Sequence, residues 1–142
     1  DYNVETKSEI YSYLFQRRKD RDIFSLAWKV YDYKECYGVD WYTGFIPKGT
    51  TITDVDKDGI SEISMPYVLI CRGGMDPGIM KIIMYEGQTK YVLSGSTMLM
   101  CEGKHPYGGE YESSENLKEN SLLRQFLLKR WEAHKCENKR FY

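Results

Sequence analysis

Thr50-Thr51-Ile52-Thr53-Asp54-Val55-Asp56-Lys57-Asp58-Gly59-Ile60-Ser61-Glu62-Ile63-Ser64-Met65 is the stretch on which the fold turns. Asp54, Asp56 and Asp58 recur at every second residue, Gly59 offers a sharp turn, and Glu62 closes the set. Calcium takes six to eight hard oxygen ligands, and alternate carboxylates on a tightly turned loop supply them. Three aspartates within five residues also repel one another unless a cation or solvent screens them. The flanks, Thr50–Thr53 and Ile60–Met65, have the β-branched alternation of strands rather than the 3.6-residue period of helices. The stretch therefore predicts a strand–loop–strand unit that carries an ion site among its carboxylates. The bland alternative is a solvated Asp-Gly turn, since Asp and Gly are ordinary turn residues.

An EF-hand is excluded on two grounds. Its loop needs a bidentate Glu at position twelve, and counting from Asp54 that position is Met65. It also needs helical flanks. The pattern resembles instead the strand-flanked calcium loops of integrin-type FG-GAP repeats, with their DxDxDGxxD/E spacing. That likeness implies ligands from the alternate acids, from a backbone carbonyl near Ile60, and from Glu62.

Working outward, residues 8–16 place Ile10, Ser12 and Leu14 on one face and Tyr11, Tyr13 and Phe15 on the other. A charged connection at 17–22 leads into a second β-run, Ile23 to Tyr33, so a hairpin is expected. The Arg17–Arg21 cluster has two aspartates close by, which suits a solvated turn. A short strand is expected at Trp41–Ile46. Trp41 and Tyr42 offer a stacking platform for a sugar ring, or else cover one end of the core. After the acidic loop, Tyr67–Cys71 continues the strand past Pro66, which marks an edge position or a bulge because proline cannot donate to a ladder. Met80–Tyr85 and Lys90–Ser94 flank a turn at Glu86–Thr89 and form a second hairpin. Residues 96–101 extend the sheet, and 102–114 form a glycine-rich loop that holds Tyr107, a third candidate ligand contact.

Toward the end of the chain the period changes. Leu123, Phe126, Leu127 and Trp131 share one face, so a helix is expected over 117–134, with Asn116 and Glu119 as a capping box. Arg124, Lys129 and Arg130 would face solvent. The fold class is α+β: one domain, mostly antiparallel sheet of about five to seven strands, with one C-terminal helix packed on it.

Composition bounds the function. Twenty basic and twenty-one acidic residues give a net charge of −1, which argues against a general nucleic-acid or anionic-membrane binder. Four widely spaced cysteines, Cys36, Cys71, Cys101 and Cys136, lack the close pairs of a zinc site. They suit either disulfides in an oxidising compartment or buried free thiols. Of the three pairings, Cys36–Cys71 would brace the acidic loop and Cys101–Cys136 would tie the glycine-rich loop to the helix end. His105 and His134 are the only histidines, and neither sits in a nucleophile–base signature.

A longer likeness runs from Ile52 through Gly95. Thr53-Asp54, Gly59, Glu62, Cys71, Pro77 and Lys81-Ile82-Ile83-Met84-Tyr85-Glu86-Gly87 resemble a Bacteroidetes family often labelled surface polysaccharide biosynthesis protein. Arg124-Gln125-Phe126 and Lys129-Arg130-Trp131 resemble its C-terminal segment. Gly74, Asp76 and Ser94 depart from the pattern. Taken with the disulfide reading of the cysteines and the calcium reading of the acidic loop, the likeness suits an exported domain of the cell envelope, placed in the periplasm, on the outer membrane or outside the cell. Two functions follow from these features. One is a non-enzymatic module contacting a glycan or an envelope protein; the other is a small calcium-dependent carbohydrate-active enzyme, whose carboxylate pair can come from distant loops.

Overall fold

The computed structural model describes residues 6–37 and 40–137. It has three layers. A two-stranded ribbon, β1 (Thr6–Arg17) and β2 (Phe24–Cys36), lies on one face of a six-stranded antiparallel sheet. The sheet contains β3 (Asp40–Phe45), β4 (Thr51–Thr53), β5 (Glu62–Arg72), β6 (Ile79–Glu86), β7 (Thr89–Ser96) and β10 (Tyr111–Ser113). Its order is β10-β7-β6-β5-β3, with β4 also pairing β5. Helices α1 (Glu115–Glu119) and α2 (Ser121–His134) belong to the other face, where Leu117, Leu123, Leu127 and Trp131 join the core. Two short strands, β8 (Met98–Leu99) and β9 (Tyr107–Gly108), make a small ribbon of their own. The expected α+β class holds.

Strict alternation builds the two cores. On β5 and β6, Val68, Ile70, Met80, Ile82 and Met84 meet the helix, while Met65, Tyr67, Leu69, Ile83 and Tyr85 meet the ribbon. Each fully buried Leu or Trp on α2 contributes roughly 1.5–3 kcal/mol of apolar burial. From the ribbon, Ile10, Trp28 and Val30 point inward, and Trp28 stacks on Tyr85 with ring centroids 4.6 Å apart. Lys81 on β6 and Tyr67 on β5 both donate to Asp32 on β2, at 2.6 and 2.8 Å. Burial opposes the charge on Asp32, but these two bonds and the Tyr33 amide hold its carboxyl below the usual range.

Several expectations are corrected. β5 is a central strand that runs unbroken through Pro66, which pairs with Ile82. The Ile46 amide donates to the Pro66 carbonyl at 2.9 Å, so the missing proline N–H faces that same side. There β3 has ended at Phe45 and β4 has not begun, and no ladder bond is forfeited. The expected single helix breaks at Asn120, whose backbone is extended and whose side chain accepts from the Leu123 amide at 3.1 Å. Asn116 is no cap; it bridges the Ser114 hydroxyl and the Lys90 carbonyl. Lys129 is exposed, whereas Arg124 and Arg130 are half-buried and Arg130 donates to the Gly49 carbonyl. Residues 98–99 leave the main sheet to pair with β9. The glycine-rich loop supplies the edge strand β10, which approaches so closely that a Cβ on Gly95 would lie 1.8 Å from the Glu110 carbonyl.

Both disulfides are formed, Cys36–Cys71 and Cys101–Cys136. The second ties the glycine-rich loop to the helix end, as expected. The first does not brace the acidic loop. Cys71 lies nine residues along β5 from Glu62, about 30 Å at ~3.3 Å per residue. It joins the ribbon to the opposite end of the sheet.

Candidate metal site

The loop between β4 and β5 is folded by its own aspartates. Asp54 accepts from the Asp58 and Gly59 amides, each at 3.1 Å, and Asp58 accepts from the Ile60 amide at 2.8 Å. Lys57 and Gly59 both adopt positive φ, 60° and 84°, so the chain reverses within three residues. The turn gathers acceptor atoms of Asp54, Asp56 and Asp58 within 4.8 Å of one another. An ordinary Asx turn would make most of these bonds, and by themselves they do not require an ion.

Glu62 is different. It is the first residue of β5 and fully buried. Its Oε2 accepts from the Thr53 hydroxyl and the Val55 amide, both at 2.9 Å. Its Oε1 is buried without a hydrogen-bond partner. Directly across the ladder stands Glu86, the last residue of β6, whose Oε2 is likewise buried and unpartnered. Like charges directly opposite on paired strands are destabilising, and an unpaired buried carboxylate is more so. Burial, then Asp56, Asp58 and Glu62, push the Glu86 carboxyl up to about 7.

Asp56 joins the two groups. Oxygens of Asp56, Glu62 and Glu86 lie within 4.8 Å of one another, as do those of the three aspartates, so the sets share Asp56 and comprise five residues. Alternation along β5 and β6 puts Glu62 and Glu86 on the helix face of the sheet, at the end beyond the apolar core. The donors are all hard oxygens, and the cluster can hold a metal ion.

Sequence reasoning placed Asp54, Asp56, Asp58 and Glu62 together and missed Glu86. Only the β5–β6 register brings it in. The available signal was a carboxylate at the end of the alternating row Met80, Ile82 and Met84, which is otherwise apolar. The three aromatic candidates do not assemble. Trp41 and Tyr42 are successive strand residues on opposite faces; Tyr42 packs on the helix-side core, while Trp41 is half exposed. Tyr107 lies on β9, its hydroxyl donating to the Met75 carbonyl. No protein-family model, curated protein or solved structure matches the chain. Residues, geometry and charge therefore carry the functional reading.

Proposed function

We propose that Asp54, Asp56, Asp58, Glu62 and Glu86 bind one calcium ion as a structural staple of an exported, non-enzymatic cell-envelope domain that acts by surface contact. One observation carries this reading: a fully buried glutamate with a free Oε1 faces a second glutamate across the ladder. A divalent cation removes that repulsion and supplies both free oxygens with a partner. Calcium suits the set better than magnesium, because it accepts many carboxylate oxygens in flexible geometry while magnesium retains its waters. Two disulfides support an oxidising compartment. Calorimetric titration of metal-stripped protein tests the proposal, with magnesium as control. The expected result is one calcium per chain, a raised melting temperature, and loss of both in Asp56→Asn. No heat and no thermal shift at millimolar calcium would sink it.

A further inference from the structure

Among the described residues, none covers the outer face of the ribbon. Tyr11, Tyr13 and Phe15 on β1 and Phe24, Leu26, Tyr31 and Tyr33 on β2 all point away from the sheet, with exposures of 41–66%. Tyr11 and Tyr31 face each other across the ladder at 5.1 Å between centroids, and Tyr13 neighbours Phe15 at 6.3 Å. Contiguous apolar surface on this scale marks an interaction site. The ribbon also outruns the layer beneath it. Leu14 and Trp28 are the last inward pair before a bulge, and beyond them Phe15–Arg17 and Phe24–Leu26 are exposed on both faces. Below this end an apolar groove of about 350 Å3 passes Leu14, Trp28, Phe45, Ile52 and Ile63.

The ribbon is graded along its length. Its overhanging end carries Phe15, Ile23, Phe24 and Leu26, its middle carries tyrosines with polar tips, and its base carries the charged Lys7, Glu9 and Glu35. The connecting turn holds Arg17, Arg18, Lys19 and Arg21 against Asp20 and Asp22, an excess of two positive charges, and Lys29 adds a third on the outer face. The near-neutral total of the chain conceals this local excess, which overhangs the same end of the sheet as the acidic loop, Leu14 and Trp28 lying beside Ile52 and Ile63. A second copy would not complement the patch. Tip on tip would oppose like charges, and tip on base would set the excess positive charge against only one net negative charge from Lys7, Glu9 and Glu35.

We infer that this ribbon face docks on an anionic lipid surface, lying flat with its rings at headgroup depth and its cationic turn among the phosphates. Apolar and tyrosine side chains together with a basic cluster are the two signals such a surface reads. The inference does not depend on calcium.

Co-sedimentation of the full chain with vesicles of 30% phosphatidylglycerol in phosphatidylcholine tests it, beside pure phosphatidylcholine. Binding to the anionic vesicles is expected, with little to the neutral ones and loss in 0.5 M salt. Each basic residue removed should weaken partitioning about fivefold, as Arg18→Ser and Lys19→Ser would report. Phe15→Ser with Phe24→Ser, both exposed, should abolish binding while circular dichroism and the disulfides stay unchanged. Three results would overturn the inference: binding to neither vesicle or equally to both, binding indifferent to the phenylalanine changes or outmatched by soluble polygalacturonate, or a concentration-dependent dimer that those changes dissolve.

Discussion

The two ends of β5 solve one problem in opposite ways. At the Arg72 end, charge is buried inside the chain with its countercharge. The Arg72 and Glu137 side chains are 9% and 4% exposed and meet at 2.8 Å, and Glu137 also accepts from the Gly78 amide and the Thr97 hydroxyl. Each partner follows a disulfide cysteine, Cys71 and Cys136, so two cross-links and an ion pair converge on one place. At the Glu62 end the buried charges share a sign, and two of their oxygens lack partners. The first end is closed by covalent bonds and internal charge. The second leaves two carboxylate oxygens unpartnered among the described residues, and the cluster around them could hold a metal ion. A buried charge without a partner is costly, so the contrast shows which end the proposed calcium ion would relieve and which end would not respond to it.

The largest way to test that contrast is to unbalance the closed end. Glu137→Ala removes the buried partner of Arg72, which keeps Asp40 and the Asp76 carbonyl, and one acceptor of the Gly78 amide and the Thr97 hydroxyl, which keep each other, so it should cost about 2 kcal/mol whether or not calcium is present. Urea denaturation with the disulfides intact would measure it. A loss under 1 kcal/mol, or one that calcium restores, would mean that the two ends are not independent.

At the open end the same kind of change should have the opposite sign. Glu86→Gln removes one of two facing carboxylates, so without metal at pH 8 it should stabilise the protein by up to about 1 kcal/mol. With calcium it should lose a ligand and bind at least tenfold more weakly. A saturating calcium concentration, 100 times Kd, adds about 2.7 kcal/mol to the wild type, and a variant that binds tenfold more weakly should forfeit about 1.3 kcal/mol of that at the same concentration. The two melting curves should therefore cross as calcium is raised. If Glu86→Gln is destabilising even without metal, the repulsion is not real and the case for a cation weakens with it.

What was legible in the sequence follows from range. Alternation is local, so the separation of Ile10 and Leu14 from Tyr11 and Tyr13 onto opposite faces and the Glu86–Thr89 turn could be foreseen, though not which face points inward. The aspartate loop was legible for the same reason, since its turn and its acids are contiguous. Glu86 was not, because 24 residues separate it from Glu62 and only the strand register joins them. Pro66 misled because its meaning depends on where the neighbouring strand stops, which no local rule contains. Asn120 was misjudged for a subtler reason. Leu117 and Leu123 lie six residues apart, off a single helical face, and both reach the core only because the helix restarts at Asn120. The Cys36–Cys71 pairing was one of three possibilities; its place far from the loop follows only from the unbroken length of β5.

The smallest effect lies between the ends, where Asp32 holds the ribbon on the sheet. Its carboxyl titrates below the ordinary 3.8, because the hydrogen bonds from Lys81 and Tyr67 outweigh its burial. A carboxylate with a depressed folded pKa adds stability that is present above its unfolded pKa and lost as pH falls through the folded one. This contribution should therefore be complete at pH 6 and fade below about pH 4. Asp32→Asn keeps an acceptor for Tyr67 and lets the partly exposed Lys81 turn to water, so the cost at pH 6 should be about 1 kcal/mol. Other carboxylates titrate over the same range, so the informative quantity is the gap between wild type and variant at each pH. That gap should narrow from pH 6 to pH 3 in urea midpoints. A constant gap would assign the role of Asp32 to packing and not to charge, leaving the ribbon held by Trp28 on Tyr85 and by the Cys36–Cys71 bridge.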